Sequence, residues 1–132
     1  MVGQRWAAWQ LLDGWKSEGS DIGWAKSVAL ELAVLWVVEE SLVDSEIKVR
    51  GDNTGVIGAF AKGHSRNVPR NNCICRIASL LIPHNITILP VYVPSAANRT
   101  DPVSHGILGL PHHRLNCSFK LPDELSTFLH RV

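Results

Sequence analysis

Two aspartates that follow strand-like segments are the residues best suited to metal chemistry. Asp52 ends an alternating segment, residues 46–52, and precedes the glycine-containing stretch NTGVIGAF. Asp101 comes soon after the apolar residues 86–93, within the sequence NRTDPVS. If both carboxylates lie at one end of a sheet, they could bind Mg²⁺, which prefers oxygen ligands. Such a metal site supports phosphodiester chemistry.

The segments around these aspartates have the patterns of strands and helices. Residues 46–52 alternate apolar and polar side chains, which predicts a strand with one buried face. A short helix is predicted over residues 54–61, ending at Gly63, and a second helix carries the apolar positions of residues 73–81. Residues 86–93 predict another strand, and Pro90 within it favours the edge of a sheet because proline has no amide hydrogen.

Upstream of these elements, the sequence predicts a tryptophan-rich strand and a buried helix. Residues 4–12 are rich in aromatic and apolar side chains and end in an Asp-Gly turn. Ser20 or Asp21 can cap a helix over residues 22–42, whose central part is apolar except for Glu31. At the other end of the chain, residues 122–130 predict a short helix.

Composition favours one intracellular domain. The 132 residues, 45% of them hydrophobic, suffice for one core, so we expect a single domain over residues 1–132. The formal charge of +1 leaves any contact with nucleic acid to a local basic patch. The three cysteines match neither a disulfide framework nor the usual zinc spacing. Because no segment has signal-peptide or membrane-spanning length, we expect a cytoplasmic or nuclear protein without membrane contact.

Four features together resemble the ribonuclease H domain of fungal retrotransposon (reverse transcriptase) polyproteins. They are the tryptophan-rich strand, the apolar helix with a glutamate, the DNTGV element and the NRTDPVSHG element. The resemblance extends over roughly residues 6–109, and the segment KGHSRN between the last two elements adds to it. It implies an α/β, ribonuclease H-like fold, with a mixed sheet and flanking helices.

The resemblance also implies a reaction. Enzymes of this family cut the RNA strand of RNA/DNA hybrids with two Mg²⁺ ions, which are held by four carboxylates and stabilise the attacking and leaving oxygens. Matched by motif, Asp52 and Asp101 take two of these catalytic, metal-binding positions. The family's first aspartate belongs to an opening strand, and the present sequence begins at the tryptophan-rich strand. We therefore expect a domain without the first two strands, with impaired or absent cleavage.

Two residues compete for the position of the catalytic glutamate. The spacing to Asp52 favours Glu31, which is then a third catalytic and metal ligand. The local motif, in which glutamate usually follows Ile-Gly-Trp-Ala, favours Lys26. The two residues are five positions apart, about 140° around a helix, so only one can face a given metal site.

The resemblance also suggests residues that bind the substrate. Around the first aspartate and the KGHSRN segment these are Asn53, Lys62, Ser65 and Arg66, and near the second aspartate it is Asn98. Lysine, arginine and hydroxyl groups are common phosphate contacts. Two alternatives to a nuclease remain open at this point: a non-catalytic remnant that binds nucleic acid, and an interaction module that self-associates through the tryptophan-rich strand.

Overall fold

The structure is a computed structural model of the chain. It describes residues 1–17 and 20–132, and within these ranges all side chains except those of Ser95, Asp101 and Ser104. The described residues form a mixed α/β structure with two small sheets. Its strands are β1 (Trp9–Leu11), β2 (Ser45–Gly51), β3 (Ile86–Tyr92) and β4 (Leu129–Arg131), and its α-helices are α1 (Ile22–Glu39), α2 (Thr54–Lys62), α3 (Val68–Leu81), α4 (Asp101–Ser104) and α5 (Asp123–Ser126).

Helix α1 begins at the predicted place. The Asp21 side chain accepts a hydrogen bond from the Trp24 backbone N–H, which satisfies one of the unpaired amides of the first turn. The helix ends at Glu39, three residues short of the predicted end, and Ser41 then takes a left-handed conformation with φ of 60°. The chain leaves the helix there because a left-handed residue cannot continue it.

Helix α1 is apolar on most of its surface because it joins two hydrophobic clusters. Its first half packs with Cys73 of α3 and with the C-terminal segment, in a cluster of Trp24, Val28, Leu32, Cys73, Leu125 and Leu129. Its second half packs with α3 and β3, in a cluster of Val34, Val37, Ile77, Leu81, Ile86 and Ile88. A helix enclosed on several sides in this way has no wide polar face.

Strands β2 and β3 form a parallel pair, with Ser45 opposite Ile86 at one end and Gly51 opposite Tyr92 at the other. The side of the pair that includes Ile47, Val49 and Ile88 packs on α1 and α3. The opposite side carries the exposed charged residues of β2. Within the described residues the sheet has only these two strands, so β3 lies at an edge, as its proline predicts.

The ends of the chain differ from the sequence-based expectation. The predicted strand over residues 4–12 is reduced to β1, and it pairs with β4 in antiparallel orientation. The predicted helix over residues 122–130 is therefore wrong beyond Ser126, where the chain turns into that strand. Two side chains hold β4 there. Leu129 is buried in the cluster that includes Trp24 and Leu125. The Arg131 guanidinium lies 5.5 Å from the centre of the Trp9 ring.

Helix lengths bear on membrane association. Across the described residues, no helix combines the length and the apolar character that a membrane span requires.

Candidate functional site

Asp52 lies at the carboxyl end of β2, where the sequence predicts it. Its carboxylate is paired with a cation, because the Lys26 Nζ atom of α1 lies 3.5 Å from Asp52 Oδ1. The Asp52 side chain is 8% exposed, and that of Lys26 is 33% exposed. A mostly buried carboxylate needs such a partner to offset the loss of its hydration.

Arg70 holds the start of α1 close to α2 and α3. It is in the first turn of α3, and its guanidinium lies 3.5 Å from the capping carboxylate of Asp21. It also passes so close to Gly23 that a Cβ atom there would come within 1.9 Å of Arg70 Nη2. The missing side chain of Gly23 thus lets Arg70 cross the first turn of α1, which is the turn that precedes Lys26.

Glu31 is engaged elsewhere. Its side chain is fully buried, and both carboxylate oxygens accept hydrogen bonds from Arg76 of α3, with Nε 2.7 Å from Oε2 and Nη2 2.9 Å from Oε1. This bidentate geometry is the strongest form of carboxylate recognition by arginine. A further contact of 2.5 Å joins Arg76 Nη1 to the partly exposed Glu124. Glu31 therefore links α1 to α3.

Burial and the ion pair of Glu31 and Arg76 shift the pKa values of Arg76 and of the neighbouring Cys73. Burial of Arg76 lowers the pKa of its guanidinium, but the hydrogen bonds and the charge of Glu31 together outweigh burial and raise that pKa above its usual value. Burial, and next to it the charge of Glu31, raises the pKa of the Cys73 thiol to about 12. Cys73 is consequently a neutral, unreactive thiol at physiological pH.

The second aspartate follows β3 through a short polar turn. Asn98 Oδ1 accepts hydrogen bonds from the backbone N–H of Thr100 at 3.1 Å and from its hydroxyl at 2.7 Å. This turn leads directly into α4, whose first residue is Asp101. The backbone of Asp101 is thus placed, whereas its side chain lies outside the described part of the structure. The side chain of Asn98 is used within the turn.

The other predicted substrate-binding residues occur around α2. Asn53 caps this helix, since its Oδ1 atom accepts from the Val56 N–H at 2.9 Å. Ser65 lies in the connection to α3, where its hydroxyl oxygen accepts from the Asn67 N–H at 3.2 Å. The side chains of Lys62 and Arg66 are exposed on either side of that connection. Asn53 and Ser65 therefore form hydrogen bonds within the fold. Lys62 and Arg66 remain at the surface.

The described carboxylates do not fit a pair of Mg²⁺ ions. Asp52 is paired with Lys26, and both oxygens of Glu31 are bonded to Arg76. Among the described residues, no three His, Cys, Asp or Glu side chains are grouped so that they could hold a metal ion. Because two hard cations require several oxygen ligands, we derive no cleavage step through a metal from this geometry.

Arg70 and Arg76 are the two residues of this region that the sequence analysis missed. Both lie on α3, and each contacts a residue of α1 more than forty positions earlier, Asp21 for Arg70 and Glu31 for Arg76. Sequence separation of this size hides a pair from local pattern analysis. The one local signal is Gly23, since a glycine inside a helix often marks a close approach by another group.

Comparison of the chain with protein-family models, with curated proteins and with solved structures gives no match.

Proposed function

We propose that this chain is a ribonuclease H-like domain that binds RNA/DNA hybrids and whose Mg²⁺-dependent cleavage is impaired. The observation that carries the proposal is the contact between Lys26 and Asp52. It puts an ammonium group against the carboxylate that, by motif, corresponds to a catalytic one. A lysine there supplies the positive charge that a metal ion would otherwise supply, but it cannot coordinate an attacking water.

The positions of the two aspartates support this relation. Strands β2 and β3 are parallel and in register up to the pair Gly51 and Tyr92, so their carboxyl ends lie at the same edge of the sheet. Asp52 follows β2 directly, and Asp101 follows β3 after the Asn98 turn. The carboxyl ends of neighbouring parallel strands are the usual place for a site in α/β proteins.

Surface charge supports contact with nucleic acid. Lys62 in the last turn of α2 and Arg66 before α3 are exposed, and they flank the short connection that follows the Asp52 region. Exposed cations of this kind contact phosphates without reading sequence. With a formal charge of only +1 on the whole chain, we expect weak hybrid binding that depends strongly on salt.

The test is cleavage and binding of a labelled RNA/DNA hybrid in Mg²⁺ and in EDTA. We expect the wild-type chain to bind the hybrid and to cut it slowly or not at all. The Lys62→Ala/Arg66→Ala variant should weaken binding and reduce the slope of log K against log salt by about 1 per lost phosphate contact. Binding that is absent, or unchanged in this variant, would contradict the nucleic-acid part of the proposal.

Two substitutions at Lys26 test the impairment. Lys26→Glu restores a carboxylate beside Asp52, and we expect Mg²⁺ to raise its unfolding temperature and its cleavage rate, the rate by on the order of tenfold over wild type. Lys26→Gln removes the cation without adding a ligand and should show neither effect. Efficient cleavage by the wild-type chain that Asp52→Asn abolishes would show that the domain is an active nuclease and that Lys26 does not impair it.

A further inference from the structure

The outer edge of β2 has backbone groups that face away from β3. The Val93 N–H donates to the Gly51 carbonyl at 2.9 Å, so the odd-numbered residues of β2 point their N–H and C=O groups toward β3. The groups of Glu46, Lys48 and Arg50 therefore point outward. Within the described residues no strand is paired with this edge. An edge of this kind is a template for another strand.

The outer edge of β3 is less suited to pairing. Because Val93 faces β2, the residues of β3 at even positions face outward, and Pro90 is one of them. Proline has no N–H to donate, so this edge lacks a hydrogen-bond donor at its centre. Further pairing of the sheet is therefore directed to β2.

Two charged residues of β2 are complementary to a second copy of the strand. Glu46 and Lys48 occupy alternate positions and are exposed, and Arg50 follows at the next alternate position. None of the three forms an ion pair with another described residue. Asp44, before the strand, is left-handed with φ of 51°, and its carboxylate accepts a hydrogen bond from Asn85 Nδ2 at 2.9 Å, so it lies outside this pattern. An antiparallel copy of β2 places Glu46 opposite Lys48 when the twofold axis passes through Ile47.

We propose that two copies of this chain associate by antiparallel pairing of their β2 strands about Ile47. Glu46 of each copy then faces Lys48 of the other, and the two residues exchange N–H···O=C bonds in each of the two pairs. The result is a four-stranded sheet with β3 at both outer edges.

Side-chain contacts select this register over its neighbours. On the side packed against α1 and α3, Ile47 meets its own symmetry mate, which extends an apolar surface. A shift of the axis to Lys48 sets Glu46 against Arg50 but puts two lysines against each other at the centre. A shift to Val49 sets Lys48 against Arg50. Like charges directly opposite one another destabilise a sheet. The axis at Ile47 pairs Glu46 with Lys48 twice and sets no like charges of the strand against each other.

The location differs from the one that the sequence suggested for self-association. Along the tryptophan-rich segment, β1 is paired on one side with β4 of the same chain. The β2 edge has no such partner among the described residues, and its Glu46 and Lys48 fit a second copy. The proposal is independent of nucleic-acid binding, so its test uses protein alone.

Sedimentation equilibrium of the full chain over a range of concentration and salt tests the proposal. We expect a monomer–dimer equilibrium that weakens as salt rises, because the charge pairs are exposed. Glu46→Lys and Lys48→Glu each turn two attractive pairs into repulsive ones, and each should raise the dimer dissociation constant by about tenfold or more. Circular dichroism checks that both variants remain folded.

Recombining the charges provides the decisive control. The double variant Glu46→Lys/Lys48→Glu should dimerise as wild type does, and an equimolar mixture of the two single variants should form a heterodimer. With the axis at Lys48, the double variant would instead be repulsive throughout its charged pairs. A wild-type chain that stays monomeric at every concentration, single variants that associate normally, or a double variant that stays monomeric would each overturn the proposal.

Discussion

Helix α1 presents two charged residues, five positions apart, to two different environments. Glu31 is fully buried and receives two hydrogen bonds from Arg76, whereas Lys26 is one-third exposed and meets Asp52 through a single contact of 3.5 Å. The first pair joins two helices in the interior. The second lies at the end of β2, where Asp52 is mostly buried and Lys26 is partly exposed.

The burial and the number of hydrogen bonds distinguish the pair that stabilises the fold from the pair that lies at the candidate site. A buried bidentate pair has its lone pairs and protons satisfied, and removing one partner leaves a charge that water cannot reach. A single, partly exposed contact contributes little to stability. Glu31 is therefore explained by its ion pair in the interior, whereas Lys26 provides the cation beside the mostly buried carboxylate at the candidate site.

The largest expected effect is the loss of the buried cation. Arg76→Leu leaves the Glu31 carboxylate without a partner in the interior, and we expect it to lower the free energy of unfolding by about 3–5 kcal/mol. Urea denaturation at neutral pH measures this change. A loss below about 1 kcal/mol would mean that water reaches the Glu31 carboxylate in the variant, and the contrast between the two pairs would then fail.

The double variant Glu31→Leu/Arg76→Leu is the matched control for this prediction. It removes both charges and leaves apolar side chains in a largely apolar surrounding, so most of the stability should return. In the same variant the thiol pKa of Cys73 should fall, since the charge and hydrogen bond of Glu31, which raise it, outweigh the charge of Arg76, which lowers it. If the double variant is as unstable as the single one, packing at these positions rather than charge is responsible.

A smaller loss of stability is expected for the second pair, Lys26 and Asp52. Lys26→Met keeps an apolar stem of similar length but leaves Asp52 without its ammonium partner, and the expected loss is about 1 kcal/mol. High salt should reduce the difference from wild type, because the pair is partly exposed. Lys120→Met, which removes an exposed lysine elsewhere, should change stability by less than about 0.5 kcal/mol. A loss at Lys26 equal to that at Arg76 would remove the distinction between the two pairs.

Local signals in the sequence sufficed for the elements that carry the site. Asp21 starts α1, and Asn53 and Gly63 bound α2, because caps and a left-handed glycine act within a few residues of the helix ends that they define. The alternating pattern likewise placed β2 to within one residue of its observed ends. These features also put Asp52 at the end of a strand, which is the part of the site that could be predicted.

Features that depend on distant partners could not be predicted. Strand β4 pairs with β1 from the opposite end of the chain, and its short segment has no strand pattern of its own. Periodicity alone likewise left Lys26 and Glu31 as alternatives, since both lie on one helix. Their different partners, Asp52 for Lys26 and Arg76 for Glu31, depend on how α1 packs in space and have no local signal in the sequence.

The smallest expected effect concerns an ion pair at the start of α1, the partly exposed contact between the capping residue Asp21 and Arg70. The hydrogen bond from the Trp24 N–H, with a smaller contribution from Arg70, holds the pKa of the Asp21 carboxyl below its ordinary value of 3.8. A lowered pKa means that the folded chain binds this proton less tightly than the unfolded chain does. The stabilisation is therefore complete above the ordinary pKa and is lost as the pH falls through the folded value.

Two substitutions separate the cap of Asp21 from its charge. At neutral pH, Asp21→Ala removes the hydrogen bond to Trp24 and should cost about 1 kcal/mol, whereas Asp21→Asn keeps a capping oxygen and should cost less than about 0.5 kcal/mol. Urea denaturation at neutral pH and at a pH well below 3.8, where the carboxyl is protonated in the folded chain as well, measures both. Because the charge contribution disappears in acid, wild type and Asp21→Asn should converge there. A gap between them that persists in acid would show that the carboxylate acts through packing and not through its charge.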